Sequence, residues 1–165
     1  MGDNRVEEID ELEEDTQKNK YLTFTLGNES FGIEILFVTE IIGLQQITEV
    51  PDLPEYVRGI INLRGKIIPV MDMRRRFKKE IREYDERTCI IVVDIGEISI
   101  GLIVDRVSEV VDIPEENVSE PPKVNKNSQN KYVKGIGKIE DSVKLILDCE
   151  KLLSEDEIET VSENI

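Results

Sequence analysis

Five aspartates, Asp72, Asp94, Asp105, Asp112 and Asp148, stand at the ends of apolar runs, a placement that could serve paired acid–base chemistry or hold Mg²⁺. The rest of the side-chain inventory argues against both. Histidine is absent, which removes the commonest general base, the commonest metal ligand and every Ser-His or Cys-His nucleophile pair. Cys89 and Cys149 are the only cysteines, each in or beside a strand-like run with no Cys-x-x-Cys spacing, and they read as small buried hydrophobes. Gly59, Gly65, Gly101, Gly135 and Gly137 build no phosphate-cradling loop, because none leads through Lys-Ser or Lys-Thr into a helix; they read as turn and bulge glycines. Aspartate also ends strands and opens turns, and that is the expected job of all five. No catalytic residue, metal site or cofactor is assigned.

Charge is a second source of chemistry. The net charge is -15, and both ends of the chain are acidic. Between them, residues 58–82 hold nine bases against Asp72 and Glu80, including the run Arg74-Arg75-Arg76-Phe77-Lys78-Lys79. A phosphate-binding surface over residues 74–82 is therefore one reading, a nucleic-acid-binding double barrel. The overall negative charge opposes phosphate neutralisation, so a solvated surface or a patch meeting an acidic protein partner is preferred, with no nucleic acid among the partners.

The elements that must carry these groups come in two copies. Phe31 to Ile35 and Val38 to Ile42 return 69 positions later as Ile100 to Val104 and Val107 to Val111. Tyr56 to Ile60 returns 76 positions later as Tyr132 to Ile136, and Ile68 to Asp72 returns as Lys144 to Asp148. Period-two alternation in Leu22, Phe24, Leu26 and again in Phe31, Ile33, Ile35 predicts a hairpin. Val38 to Ile42, Gly59 to Leu63 and Lys66 to Met71 continue as strands, the last two flanking a tight Arg64-Gly65 turn. Pro69 suggests an edge strand, and Pro54 to Arg58 one helical turn stopped by Gly59. Each copy thus offers about five short strands, which fit a small closed barrel.

The expected fold is all-β: two five-stranded barrels from a pseudo-repeat, with short helical turns and a C-terminal helix capped by Asp148. The expected division is an acidic flexible tail over 1–19, a first barrel over 20–85, a second over 86–148, and a C-terminal helix with acidic tail over 149–165. No apolar run is long enough to span a membrane and the N-terminus does not read as a signal peptide, so a soluble, cytoplasmic protein without membrane insertion is expected.

Val57 to Arg74, with the Asn62-Leu63-Arg64-Gly65 turn and the Pro69-Val70-Met71-Asp72 ending, strongly resembles the signature of CheW-type chemotaxis coupling proteins. Tyr21 to Leu36 resembles the same family, and the likeness runs from about residue 20 to 153. The resemblance implies SH3-like barrels sharing a core, and no catalysis. Its partners would be the helical hairpin at a chemoreceptor's cytoplasmic tip and the regulatory domain of a CheA-type histidine kinase, in membrane-associated signalling arrays. Carried over residue by residue, Arg64 matches a position important for receptor binding, and Glu40 with Val38 matches positions of partner contact. A helix-in-groove contact would use Val38 and Ile41, flanked by Arg64. Gly59, Asn62 and Gly65 are expected to shape the turn, and the kinase-facing residues stay unassigned. At the equivalent turn of the second copy Arg64 is replaced by Glu140, which marks the first copy as the receptor-facing half.

Overall fold

Strands form along both the period-two and the continuous apolar runs, and the structure, a computed structural model, describes residues 17–121 and 129–164. In chain order these are β1 (Lys20–Leu26), β2 (Glu29–Glu34), β3 (Val38–Gly43), β4 (Val57–Leu63), β5 (Lys66–Asp72), the single helical turn α1 (Met73–Arg76), β6 (Cys89–Ile95), β7 (Ile98–Val104), β8 (Arg106–Asp112), the short β9 (Val118–Ser119), β10 (Val133–Ile139), β11 (Ser142–Leu147) and helix α2 (Glu155–Asn164). Most of the segment expected as an acidic tail, residues 1–16, lies outside the described residues.

Two sheets result, ordered β3-β6-β7-β5-β4 and β8-β1-β2-β11-β10-β9. Each curls until its ends meet. Thr48, beyond β3, exchanges backbone hydrogen bonds with Ile60 of β4 at 2.8 and 2.9 Å. In the other sheet β9, beyond β8, pairs with β10.

Membership of the barrels departs from the expected division into 20–85 and 86–148. Barrel I takes β3, β4 and β5 from the first copy and the β6–β7 hairpin from the second; barrel II takes the β1–β2 hairpin from the first and β8 to β11 from the second. Each copy has lent its opening hairpin to the other. Two parallel pairings stitch the exchange, Gly32 opposite Ile146 and Gly101 opposite Val70, and these pairs are related by the repeat itself. Contiguous barrels would require each hairpin to pair with its own copy, whereas the observed pairings join each hairpin to the other copy.

The exchange explains why β6 and β7 are apolar on both faces. Ile90, Val92 and Ile103 point into barrel I with Ile61, Ile68 and Val70. Ile91, Val93, Ile100 and Leu102 point the other way, into a shared core with Leu22, Phe24, Phe31 and Leu147. A chain of rings, Phe24–Phe31–Phe77–Tyr132, crosses that core with successive centroids 5.3, 5.4 and 5.4 Å apart. Phe77 comes from the basic run, so that run is docked into the molecule rather than laid on its surface.

Local expectations fare unevenly. Residues 54–58 form no helix; a turn closed by Val57 N–H to Pro54 O leads straight into β4. Gly59 is instead a bulge, at φ 150°, where the β4–β5 register shifts. Pro69 is not on an edge strand, because β5 lies between β4 and β7; pairing with β7 begins at Val70, just past the proline. Asp148 makes no side-chain cap and precedes a single 3-10 turn, Cys149–Lys151. The cap of α2 is Ser154, whose hydroxyl accepts from Glu157 N–H at 3.1 Å while Glu157 Oε1 accepts from Ser154 N–H at 3.0 Å, a reciprocal capping box. Asp72 and Asp148 nevertheless share one backbone role, donating to Tyr56 O and Tyr132 O at 2.8 Å each. Cys149 is buried, which pushes its thiol up to about 12.

Candidate functional site

The β4–β5 turn is built by its side chains. Asn62 Oδ1 accepts the Gly65 N–H at 2.8 Å, and Arg64 (φ 54°) and Gly65 (φ 87°) adopt the left-handed pair that a two-residue hairpin turn requires. Glu140, its counterpart in the second copy, has φ 52°, so the turn is kept while its charge is reversed. Asn62 and Gly65 thus take the turn-shaping places expected of them, whereas Gly59 acts further back, at the bulge.

From this turn Arg64 reaches across to Glu40 on β3, and the two form an ion pair. Arg64 is 70% exposed and Glu40 30%, so the pair sits in water at the open end of barrel I. Pairing with β6 sets Glu40 opposite Val92 and Ile41 opposite Ile91, and consecutive strand residues leave opposite faces. Ile41 and nearby Leu44 are large exposed apolar side chains. Val38, expected beside Ile41 on an apolar patch, is half-buried against the shared core across the β3 bulge. The structure therefore joins Arg64 to Glu40, puts Ile41 on the strand's other face, and turns Val38 largely inward.

The basic run is spent on internal contacts. Asp105 accepts Arg74 Nε and Nη2 at 2.7 and 2.5 Å, and the Gly27 N–H at 2.8 Å. Burial pushes the Asp105 carboxyl up, but the Arg74 and Gly27 hydrogen bonds and the Arg74 and Arg82 charges outweigh it, so the group sits below its usual range. Lys79 pairs with Glu29, and Arg82 reaches Asp85 at 3.3 Å. Asp72 caps α1 through the Arg74 N–H at 2.9 Å and accepts the Tyr84 hydroxyl at 2.8 Å. Little of the 74–82 charge is left for a phosphate backbone.

Sequence reasoning missed one constellation. Arg76, with its side chain only 9% exposed, lies between the rings of Tyr56 and Tyr132, 4.0 and 4.8 Å from their centroids. Its Nη2 donates to Glu157 Oε1 of α2 at 2.9 Å. Burial lowers the guanidinium from its ordinary value. Two signals were legible: Tyr56 and Tyr132 are repeat partners, and Ser154-Glu155-Asp156-Glu157 has capping-box spacing.

Comparison with known proteins accords with this architecture. Residues 20–157 match the model of the CheW-like domain. Chemotaxis protein CheW of Klebsiella aerogenes is 37% identical over 153 residues, covering 93% of this chain and 92% of the relative. The CheW of Treponema pallidum is 32% identical, covering 86% and 85% respectively. The crystal structure of the scaffolding protein TtCheW from Thermoanaerobacter tengcongensis superposes with a TM-score of 0.78 at 38% identity, covering 84% of this chain and 94% of that one. With the signature turn, the paired barrels and these relatives in agreement, the chain belongs to the CheW-like family of chemotaxis scaffolding proteins.

Proposed function

We propose that this chain is a non-catalytic cytoplasmic adaptor that couples the cytoplasmic helical hairpin of chemoreceptors to the regulatory domain of a CheA-type histidine kinase, within membrane-associated arrays. The observation that carries the receptor half is the exposed Arg64–Glu40 pair at the turn that bears the family signature, with Ile41 exposed on the opposite face of β3. An exposed ion pair contributes about 0–1 kcal/mol, so a partner helix with its own charges can open it at little cost. Either residue then becomes a directional, charge-assisted contact for that helix.

Arg64→Ala tests this reading. Binding of a receptor-tip fragment should weaken about tenfold, or about 1.4 kcal/mol, while stability to denaturant changes by less than about 1 kcal/mol. Unchanged affinity in the folded variant would remove Arg64 from the site.

A further inference from the structure

The Arg76 constellation opens on a cleft of about 870 Å³, walled on one side by Ile95, Tyr132 and Val133 and on the other by Leu153, Glu157 and Ile158 at the start of α2. None of Val38, Glu40, Ile41 or Arg64 lines it. Among the described residues no acceptor reaches Arg76 Nε, although that atom is buried. A guanidinium in this position, stacked on two rings and withdrawn from water, calls for a carboxylate and has room for more than the one it holds.

That carboxylate comes from a helix with little else to hold it. At ten residues α2 is below the length that is stable alone in water, and Ile158 and Val161 are its apolar anchors, the latter fully buried. Glu157 Oε1 serves twice, accepting from Arg76 and closing the capping box with Ser154. Helix start and helix docking thus depend on one oxygen.

We propose that the surface around Arg76 is a docking site for acidic amphipathic helices, that α2 is its resident occupant and forms one wall of the adjoining cleft, and that a partner helix entering by that cleft and offering a carboxylate beside apolar residues one and four positions on displaces it. In this arrangement α2 is a self-inhibiting strap, and its tether keeps the effective concentration near the millimolar range, so that weak competitors fail.

The test uses the full chain and a synthetic peptide of residues 154–164. In Glu157→Gln, amide exchange over α2 should quicken at least tenfold while β6 and β7 keep their protection. Fluorescently labelled peptide should then bind Glu157→Gln at least tenfold more tightly than wild type. A peptide carrying Gln at its 157 position should lose that binding, a comparison that leaves the protein untouched. A peptide with its acids replaced by Lys should not bind. Unchanged α2 protection in Glu157→Gln would overturn the proposal. So would a loosened α2 with no peptide binding, which would leave α2 as packing alone, or equal binding of the acidic, Gln and Lys peptides.

Discussion

Asp105 is the acid on which the basic run depends, and it illustrates what a strand-end aspartate does here. It holds Arg74 through both carboxylate oxygens and ties β7 to the β1–β2 turn through the Gly27 N–H. The pair is 14% exposed on each side, so removing one partner leaves the other largely unsolvated. Asp105→Asn should therefore cost about 2–3 kcal/mol at pH 7, read from the denaturant midpoint. The sign with pH follows from a folded-state value held below the unfolded one: the stabilisation is complete above the ordinary carboxylate value of about 3.9 and disappears as pH falls through the lower folded value. The gap between wild type and Asp105→Asn should stay constant from pH 7 to about 5 and close at lower pH. A gap that persists at pH 2 would mean that packing, not charge, carries the loss.

At the scale of elements, Gly59 separates what spacing can show from what it cannot. A β-carbon built there would lie 2.1 Å from Thr48 O, at the point where barrel I closes. Backbone strain and a hard clash then act together, and Gly59→Ala should cost about 3 kcal/mol, measured by thermal or chemical unfolding. Gly65→Ala, with open space around its β-carbon, should cost about 1 kcal/mol from backbone conformation alone. The strands and the Arg64–Gly65 turn were legible because period two and turn residues are local signals. Gly59 could be read either as a bulge glycine or as the stop of a helical turn, and local signals did not choose between them, because the bulge answers to Thr48, eleven positions away along the chain. Pro69 misled for a similar reason: its missing N–H excludes pairing at one position, not along a whole strand. Asp148 lost the cap to Ser154 because the reciprocal Glu157 contact favours the later start. In the candidate site family positions singled out Arg64 and Glu40 one by one, but their ion pair with each other depends on tertiary placement, and the inward turn of Val38 on a bulge that alternation does not announce.

For the molecule as a whole, the repeat announced two modules without saying which strands share a barrel. Similarity between copies is blind to exchange, since a hairpin packs equally well on its own copy or on the other when both surfaces are alike. The structure exchanges the opening hairpins, and the shared core then draws on β1, β2, β5, β6, β7, β10 and β11 at once. Neither half of the chain holds a complete barrel. Residues 20–85 lack the β6–β7 hairpin that bridges β3 to β5, and residues 86–148 lack the β1–β2 hairpin that bridges β8 to β11. Expressed alone, each half should show the broad amide spectrum and dye binding of an unpacked chain, while an equimolar mixture of the two should recover barrel-like circular dichroism. The intact protein should unfold in one transition, with coincident midpoints by far-ultraviolet dichroism and tyrosine fluorescence. Two separated transitions, or a folded 20–85 fragment, would show that the barrels are energetically independent despite their shared strands. The single transition follows because breaking either barrel removes a hairpin whose other face builds the common core.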